Sequence, residues 1–290
     1  MSSDIAQPIA IRLSPEEIGM IRLDGVSVTY PGRLTALHPT FLEFSRNEFA
    51  VLLGPSGAGK STLLRTINYL NRPSAGSVTV AGIGPLGSAN SLREHRRRTG
   101  MIFQQHQLIM RQTALQNVLM GRFGYHTTLR SIFPLPVVEV RMALDCLERV
   151  GLLEKASERV DGLSGGERQR VGIARALAQQ PRVVLADEPV ASLDPVTATK
   201  ILSLLQSICR EADILAVVSL HQVDLAKTYA DRIIGLADGR VVFDGPADRL
   251  NPEILDRIYR HQIPGGRTGQ CKQNSEECAA AVNLAAVSVK

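Results

Sequence analysis

The hydrophobic pattern divides the chain into a strand-rich first part, a helical middle and an alternating last part. Residues 21–30, 42–53 and 76–82 have a composition typical of strands, and each is bounded by glycine, proline or asparagine. Residues 49–53 read FAVLL, a fully apolar run that is typical of a buried strand. A glycine-rich loop and a segment with helical spacing follow directly. The pattern therefore predicts a strand, a loop and a helix in succession.

The pattern changes at about residue 106. Residues 114–124 and 138–156 have helical periodicity and almost no strand signal, which predicts a helical lobe over about 106–163. Beyond it the two element types alternate: we predict helices at 166–179, 195–211 and 223–230, strands at 183–187, 214–220 and 232–239, and a closing hairpin-like strand at 240–245. Alternation of this kind predicts a parallel sheet, so the lobe is inserted into an α/β core.

The two ends of the chain lack this pattern. Residues 1–19 show no firm periodicity and are interpreted as a loose extension. Residues 264–290 are rich in glycine, serine, asparagine and alanine, which predicts a disordered tail. The folded domain is therefore expected to span residues 20–263.

Composition narrows the function classes. The hydrophobic share of 44% is sufficient for a core, and the net charge of +5, from 33 basic and 28 acidic residues, is too small to indicate a nucleic-acid partner. The basic run at residues 93–98 is interpreted as a solvated helix face or a loop. The four cysteines form no CxxC pair and no zinc spacing, which favours a reducing compartment without a thiolate metal site.

No targeting signal is visible in the sequence. The first residues have no basic start and no apolar segment, so we expect no signal peptide. No apolar run approaches the ~20 residues that a membrane helix needs. A cytosolic protein is expected, which would reach any membrane through a partner.

The glycine-rich loop carries the first chemical motif. It reads Gly54, Pro55, Ser56, Gly57, Ala58, Gly59, Lys60 and Ser61, a full match to the phosphate-loop pattern GxxxxGK[ST]. Glycines let backbone N–H groups turn inward around a phosphate, and the next helix directs its positive end to the same point. Lys60 would supply a cation for the β- and γ-phosphates, and the Ser61 hydroxyl would ligate Mg²⁺.

The second motif is a buried strand that ends in two carboxylates, Asp187 and Glu188. Asp187 would hold Mg²⁺ through water, as in other phosphate-loop enzymes. Glu188 would polarise the attacking water as general base. A helix cap is the alternative reading of such a pair, and the upstream glycine loop favours the catalytic one.

The third motif is a second phosphate-binding helix start. Ser164, Gly165 and Gly166 open a helix that continues GERQR. One nucleotide pocket in one chain has no obvious use for two such starts. We therefore predict a head-to-tail dimer, in which this loop closes over the nucleotide held by the partner. An ordinary capped helix would explain Ser164 but not the two glycines.

The sequence LSGGERQR between a phosphate loop and a strand-end carboxylate pair resembles the ABC transporter ATPase family, and the resemblance covers roughly residues 21–250. It implies that Tyr30 stacks on adenine, that Gln104 is the glutamine of the Q-loop, that Asp194 belongs to the D-loop, and that His221 is the switch histidine. Gln105 follows Gln104, so the metal-facing glutamine could be either; Gln104 is favoured because it directly follows Phe103.

The fold implied by this resemblance is the ABC ATPase fold: a phosphate-loop NTPase core with a parallel sheet, an N-terminal antiparallel β subdomain and an inserted helical lobe. ATP and Mg²⁺ are the implied cofactors. The implied catalytic residues are Glu188, His221, Gln104 and Lys60, and the implied metal ligands are Ser61, Gln104 and Asp187. The implied nucleotide-binding residues are Tyr30, Gly54, Pro55, Ser56, Gly57, Ala58, Gly59, Lys60, Ser61, Thr62, Ser164, Gly165, Gly166 and Asp194.

Residues 118–133 and 218–246 resemble the ATPases of phosphonate importers. The implied assembly is a homodimer with two membrane permease subunits at the cytoplasmic face of the inner membrane, served indirectly by a substrate-binding protein. Phosphite import is nearly as compatible. The alternatives are a polar amino acid importer and a soluble ABC ATPase without a transport role. A cassette that does not hydrolyse ATP is disfavoured because Lys60, Asp187, Glu188 and His221 are intact.

Overall fold

The computed structural model describes residues 20–32, 34–104, 107–125 and 136–259. The predicted extension at 1–19 and the predicted tail at 264–290 lie outside these residues. No helix in the described ranges combines the length and the apolar composition needed to cross a membrane.

Ten strands and eight α-helices are found in the described part of the chain. The strands are β1 (Ile21–Tyr30), β2 (Leu34–Phe44), β3 (Phe49–Leu53), β4 (Ala75–Val80), β5 (Gly84–Pro85), β6 (Thr99–Ile102), β7 (Val183–Ala186), β8 (Leu215–Leu220), β9 (Arg232–Ala237) and β10 (Arg240–Gly245). The helices are α1 (Lys60–Ile67), α2 (Ala89–Arg97), α3 (Ala114–Leu119), α4 (Val137–Arg149), α5 (Gly165–Ala178), α6 (Pro195–Glu211), α7 (Val223–Tyr229) and α8 (Pro252–Tyr259). Short 3-10 turns include Met120–Tyr125 and Leu153–Lys155.

The central sheet has six strands in the order β10-β9-β3-β8-β7-β6. Its strands β9, β3, β8, β7 and β6 pair in parallel, and β10 closes the edge as an antiparallel hairpin with β9. The alternating pattern of the sequence therefore predicted the sheet correctly. Ligands of open parallel sheets bind at the carboxyl ends of the strands, which is where the phosphate loop follows β3.

A second, antiparallel sheet has the order β2-β1-β4-β5. The prediction of one continuous strand over residues 42–53 is wrong. A polar turn at residues 45–48 separates β2 from β3 and sends them into different sheets. Asn47 adopts a φ of +53° in this turn, and Glu48 Oε2 accepts a hydrogen bond from the Ser45 N–H at 2.7 Å. Because apolar segments flank this turn on both sides, the composition of residues 42–53 taken together is that of a single strand.

Two hydrophobic cores lie on opposite faces of the central sheet. Ala50 and Leu52 of β3 belong to the core shared with β1, β2 and α1, whereas Phe49, Val51 and Leu53 belong to the core shared with α5 and α6. Alternate residues of a strand point to opposite faces, so a strand covered on both sides must be apolar throughout. This requirement explains the FAVLL run.

The basic run at residues 93–98 is the end of α2 and the residue that follows it. Arg93 and Arg96 are exposed, as expected for a solvated helix face, but His95 is 1% exposed. Its Nε2 donates a hydrogen bond to the Ile67 carbonyl oxygen at 2.9 Å. Burial lowers the pKa of His95. The histidine therefore fastens α2 to the end of α1.

A buried arginine of the inserted lobe, Arg122, attaches the lobe to the end of α5. Arg122 Nη1 donates to the Ala178 carbonyl oxygen at 2.9 Å, and Arg122 also pairs with Glu139 through Nε and through Nη2, the latter at 3.3 Å. The side chains are 6% and 12% exposed. Arg122 therefore links the 3-10 turn after α3 with α4 and with the end of α5.

We expect Arg122→Met to lower the free energy of unfolding by about 2–3 kcal/mol, because methionine cannot donate the hydrogen bonds that Arg122 makes to Glu139 and to the Ala178 carbonyl oxygen. Chemical denaturation measures this loss. Arg159→Met is the matched control: its pair with Asp161 has side chains 56% and 44% exposed, so its loss should cost less than about 1 kcal/mol. Equal losses in the two variants would contradict the structural role given to Arg122.

Candidate functional site

The phosphate loop lies at the carboxyl end of β3. Residues 54–59 connect β3 to α1, which begins at Lys60. Gly59 precedes the helix with a φ of +102°, a conformation that residues with side chains rarely adopt. A Cβ at Gly59 would also lie 2.7 Å from the Ala36 carbonyl oxygen. Only glycine therefore fits at this point of the loop.

The Lys60 ammonium lies inside the loop. Its Nζ donates hydrogen bonds to the carbonyl oxygens of Gly54 at 2.7 Å and Pro55 at 2.8 Å, and the residue is 4% exposed. Burial lowers the pKa of Lys60, whereas the nearby carboxylates of Glu188 and Asp187 act to raise it. An ammonium has three donors, so two bonds to loop carbonyls leave one for an anion.

A distant turn supports the loop from outside. The Ala58 carbonyl oxygen accepts a hydrogen bond from Gly239 N–H at 3.1 Å, and the Gly239 carbonyl oxygen accepts one from His38 N–H at 2.8 Å. Gly239 connects β9 and β10. A Cβ at Gly54 would lie 2.3 Å from the Leu236 carbonyl oxygen. The sequence analysis placed Gly239 at the end of a predicted strand over 232–239, whereas the observed strand ends at Ala237, and nothing in the sequence indicated contact with the loop.

The carboxylate of Asp187, directly after β7, accepts hydrogen bonds from two hydroxyl groups. The Ser61 Oγ donates to Asp187 Oδ1 at 2.8 Å, and the Ser219 Oγ donates to the same oxygen at 3.1 Å. Asp187 is 5% exposed, and its backbone N–H donates to the Ile102 carbonyl oxygen at 2.9 Å. The structure thus brings the predicted metal ligands Ser61 and Asp187 together, and it adds Ser219, which the sequence analysis missed.

Glu188 occupies a strained backbone position beside His221. Its φ is +50°, which is unusual for a residue with a side chain and recurs at functional sites. The Glu188 backbone N–H donates to Ser219 Oγ at 2.8 Å, and Glu188 Oε1 pairs directly with His221 Nε2. The Glu188 side chain is 15% exposed and that of His221 is 39% exposed. The two predicted catalytic residues therefore share one hydrogen bond.

Two further predicted residues are exposed. Tyr30 is 37% exposed, and its hydroxyl accepts a hydrogen bond from Asn71 Nδ2 at 2.8 Å and lies 3.4 Å from Thr62 Oγ1. The ring therefore stands beside the first turn of α1, with its position fixed through the hydroxyl group. Gln104 is exposed two residues after the end of β6. Gln105, the alternative Q-loop glutamine, lies outside the described residues.

The second helix start lies at a separate cavity. Ser164 caps α5 and Asp194 caps α6, where Asp194 Oδ1 accepts a hydrogen bond from Thr197 N–H at 3.0 Å. Both residues line one cavity of about 710 Å³, together with Gly165 and Gly166. A Cβ at Gly166 would lie 2.8 Å from Thr197 Cγ2, so glycine lets the two helix starts approach each other. No residue of the phosphate loop lines this cavity.

A basic cavity of about 660 Å³ lies between α2 and the turn Met120–Tyr125. Its lining includes Arg93, Arg96 and Arg97 together with Tyr125. The Tyr125 ring lies between two guanidinium groups, with Arg97 Cζ 4.5 Å and Arg122 Cζ 4.0 Å from its centroid. Its hydroxyl donates to the Gln179 carbonyl oxygen at 2.5 Å. Of the segment 118–133 singled out in the sequence, residues 126–133 lie outside the described residues.

The sheet order, the loop after β3 and the carboxylates after β7 define a phosphate-loop nucleotide-binding protein that carries an inserted helical lobe. The family model described as ABC transporter matches residues 37–191. The chain belongs to the ABC transporter family.

Two curated relatives are similar along most of the chain. The chain is 61% identical to the phosphonates import ATP-binding protein PhnC 3 of Nostoc sp. over 240 residues, which cover 83% of this chain and 92% of the relative. It is 59% identical to the phosphite import ATP-binding protein PxtA of Stutzerimonas stutzeri, with 84% and 89% covered. Among solved structures, the dimeric ATP-binding cassette MJ0796 bound to ADP and Pi is similar at a TM-score of 0.69 and 36% identity, covering 79% of this chain and 99% of that one.

Proposed function

We propose that this chain is the ATP-hydrolysing subunit of an importer for phosphonates or for a closely related phosphorus oxyanion. Relatives named for phosphonate import and for phosphite import are 61% and 59% identical to it and match over 83% and 84% of its length. The substrate itself would be handled by other subunits, so similarity to these proteins is the support for this part of the proposal.

ATP and Mg²⁺ fit the residues around the loop. The Lys60 ammonium has a donor available for a phosphate oxygen, and the first backbone N–H groups of α1 lie beside it. Ser61 and Asp187 offer a hydroxyl and a carboxylate 2.8 Å apart. Magnesium is usually held by one or two carboxylates with water and substrate phosphates. Ser61 and Asp187 would therefore hold the metal, which would neutralise charge on the phosphates, with Gln104 as a further ligand.

Glu188 would act as the general base for the attacking water. A hydrogen bond with His221 holds the Glu188 carboxylate, which lies near enough to the Lys60 ammonium to act on its pKa. A general base must lie within hydrogen-bond reach of the water that it activates, and a neighbouring group that orients it improves the geometry. His221 would supply this orientation and contact the terminal phosphate. Ser219 would hold Asp187 and Glu188 in their relative positions.

The separation of the two half-sites is the observation that carries the proposed head-to-tail homodimer. Ser164 and Asp194 line a cavity that contains no residue of the phosphate loop, so a helix start suited to phosphate lies apart from the nucleotide site of its own chain. A second copy in head-to-tail orientation would bring this helix start to the partner's ATP. The 36% identical cassette MJ0796 has a dimeric structure, which supports this arrangement.

The helical lobes of the dimer would contact two membrane-embedded permease subunits. The complex would lie at the cytoplasmic face of the inner membrane. Phe123 is 39% exposed on the lobe surface, close to the basic cavity that Tyr125 lines. Aromatic and arginine residues are enriched at protein interfaces. Arg122 is excluded from this contact because it is buried against Glu139. A substrate-binding protein would complete the importer on the other side of the membrane.

We expect Glu188→Gln to lower ATP turnover by about 100-fold or more, because an amide cannot accept the proton of the attacking water. ATP binding should persist, and the purified variant should form a stable dimer when ATP is added. Phosphate release and light scattering measure the two effects. Glu253→Gln, an exposed change in α8, is the control and should behave as the parent. Turnover at the parental rate in Glu188→Gln would remove Glu188 from the role of base.

Mixing two inactive variants tests whether each site is shared between chains. Ser164→Arg should preserve ATP binding by the monomer and abolish turnover, whereas Lys60→Ala should weaken binding because a charged phosphate contact is lost. In a heterodimer of the two, one site is intact and the other carries both lesions. We expect the mixture to regain partial turnover and to retain one ATP per heterodimer. Heterodimers that form but regain no turnover would contradict hydrolysis at a single shared site.

Growth on defined phosphorus sources tests the substrate. A strain that lacks this chain should fail to grow with a phosphonate or phosphite as sole phosphorus source and should grow normally on phosphate. The wild-type gene should restore growth, and the Lys60→Ala gene should not. Normal growth of the deletion strain on phosphonate and phosphite, with lost growth on another nutrient such as a polar amino acid, would overturn the substrate assignment and leave the ATPase mechanism intact.

A further inference from the structure

The start of α5 contains an anion of its own. Glu167 Oε2 accepts hydrogen bonds from the Ser164 backbone N–H at 2.9 Å and from the Ser164 Oγ at 2.8 Å, and the Glu167 N–H lies 3.3 Å from the same Oγ. This reciprocal pair is a capping box. Hydrogen bonds from Lys155 and then from Ser164 lower the pKa of Glu167 to about 2. The carboxylate is therefore ionised at neutral pH.

The negative charge of Glu167 disfavours the phosphate binding that is proposed for the same helix start. In the head-to-tail dimer the start of α5 would face the terminal phosphate of the partner's ATP, which is also an anion. Like charges repel, and the favourable effect of a helix N-terminus on a phosphate is reduced when a carboxylate already occupies it. Glu167 also accepts the Ser164 hydroxyl proton, which the phosphate would need. The cap that stabilises α5 thus disfavours binding of the phosphate.

Lys155 compensates the charge of Glu167 from the helical lobe. Its Nζ donates to Glu167 Oε1 at 2.7 Å, the oxygen that Ser164 does not use. The short turn that carries Lys155 is held by its own backbone, because Lys155 N–H donates to the Leu152 carbonyl oxygen at 3.1 Å and the Lys155 carbonyl oxygen accepts from Glu158 N–H at 3.0 Å. The lysine side chain is 40% exposed and that of Glu167 is 17% exposed.

Two other charged groups face this pair. Glu158 Oε2 lies 4.0 Å from Lys155 Nζ, and its side chain is 51% exposed, so water screens it strongly. Arg170 is a second cation near Lys155, and it lines the same cavity as Ser164. The 2.7 Å bond from Lys155 is nevertheless the contact that reaches the Glu167 carboxylate from the lobe.

We propose that Lys155 is a positioning residue for the shared ATP site: by pairing with Glu167 it compensates the negative charge of the carboxylate beside Ser164, so that the helix start can accept the partner's phosphate. This inference rests on the proposed head-to-tail dimer. Lys155 itself touches no nucleotide in this arrangement. Its effect should therefore appear in dimer closure and not in the binding of ATP to the monomer.

The test uses the Glu188→Gln chain, in which ATP-driven dimers can accumulate, and measures the ATP concentration at half-maximal dimerisation by light scattering. Adding Lys155→Met should raise this concentration roughly two- to fivefold, the range expected for one charge at a helix terminus. Binding of a fluorescent ATP analogue to the monomer should stay unchanged. Raising the ionic strength should bring the half-maximal ATP concentrations of the chains with and without Lys155→Met closer together, because salt screens the uncompensated carboxylate.

Three controls separate charge compensation from a structural role. Lys155→Arg retains the charge and should behave as the parent. Glu167→Gln combined with Lys155→Met should regain most of the lost dimerisation, because no uncompensated charge remains. Lys200→Met removes one charge from the lining of the same cavity and should weaken dimerisation less than Lys155→Met.

Each result has a defined meaning. Parental dimerisation in Lys155→Met, or no recovery in the double variant, would overturn the inference about Lys155 and leave the shared site standing. Failure of the Glu188→Gln parent to dimerise with ATP would instead overturn the proposed dimer, and the role of Lys155 with it.

Discussion

The carboxylate of Asp187 joins the carboxyl ends of three adjacent strands. It follows β7, accepts a hydrogen bond from Ser219 on β8, and accepts another from Ser61 at the start of the helix after β3. These strands are neighbours in the sheet order β3-β8-β7. A buried carboxylate requires such donors because an unpaired charge in the interior is strongly unfavourable. The same requirement that stabilises Asp187 therefore brings the phosphate loop, the candidate metal ligands and Glu188 into one place.

Most of the fold and much of the site could be predicted because their causes are local. Helix α6 follows from an aspartate cap and a proline at its first position, and its predicted span of 195–211 is the observed one. The glycine-rich loop is similarly explained by its own residues, since Gly59 has a φ that only glycine adopts readily. The start of α5 at Ser164 was visible in the sequence as a serine before two glycines. The roles given to these residues stay predictions.

What the sequence could not provide are contacts between residues that lie far apart in the chain. Ser219 reads as one more small residue in an apolar strand, yet it bonds both Asp187 and Glu188. Gly239 reads as the last residue of a predicted strand, yet its backbone N–H donates a hydrogen bond to the phosphate loop. His95 lies in a basic stretch that reads as a solvated helix face, yet its side chain is buried and bonded to the end of α1. Each depends on which elements become neighbours, and periodicity contains no information about that.

The separation of the Ser164 cavity from the phosphate loop has a kinetic consequence. Under the proposed arrangement, a complete site exists only while two copies are in contact, so turnover by free subunits should rise with the square of their concentration when they are dilute. Attachment of both copies to one permease would replace this encounter in solution by an intramolecular one, with an effective concentration set by the spacing of the attachment points. A subunit released from its permease would then hydrolyse ATP very slowly, so unassembled protein would consume little ATP.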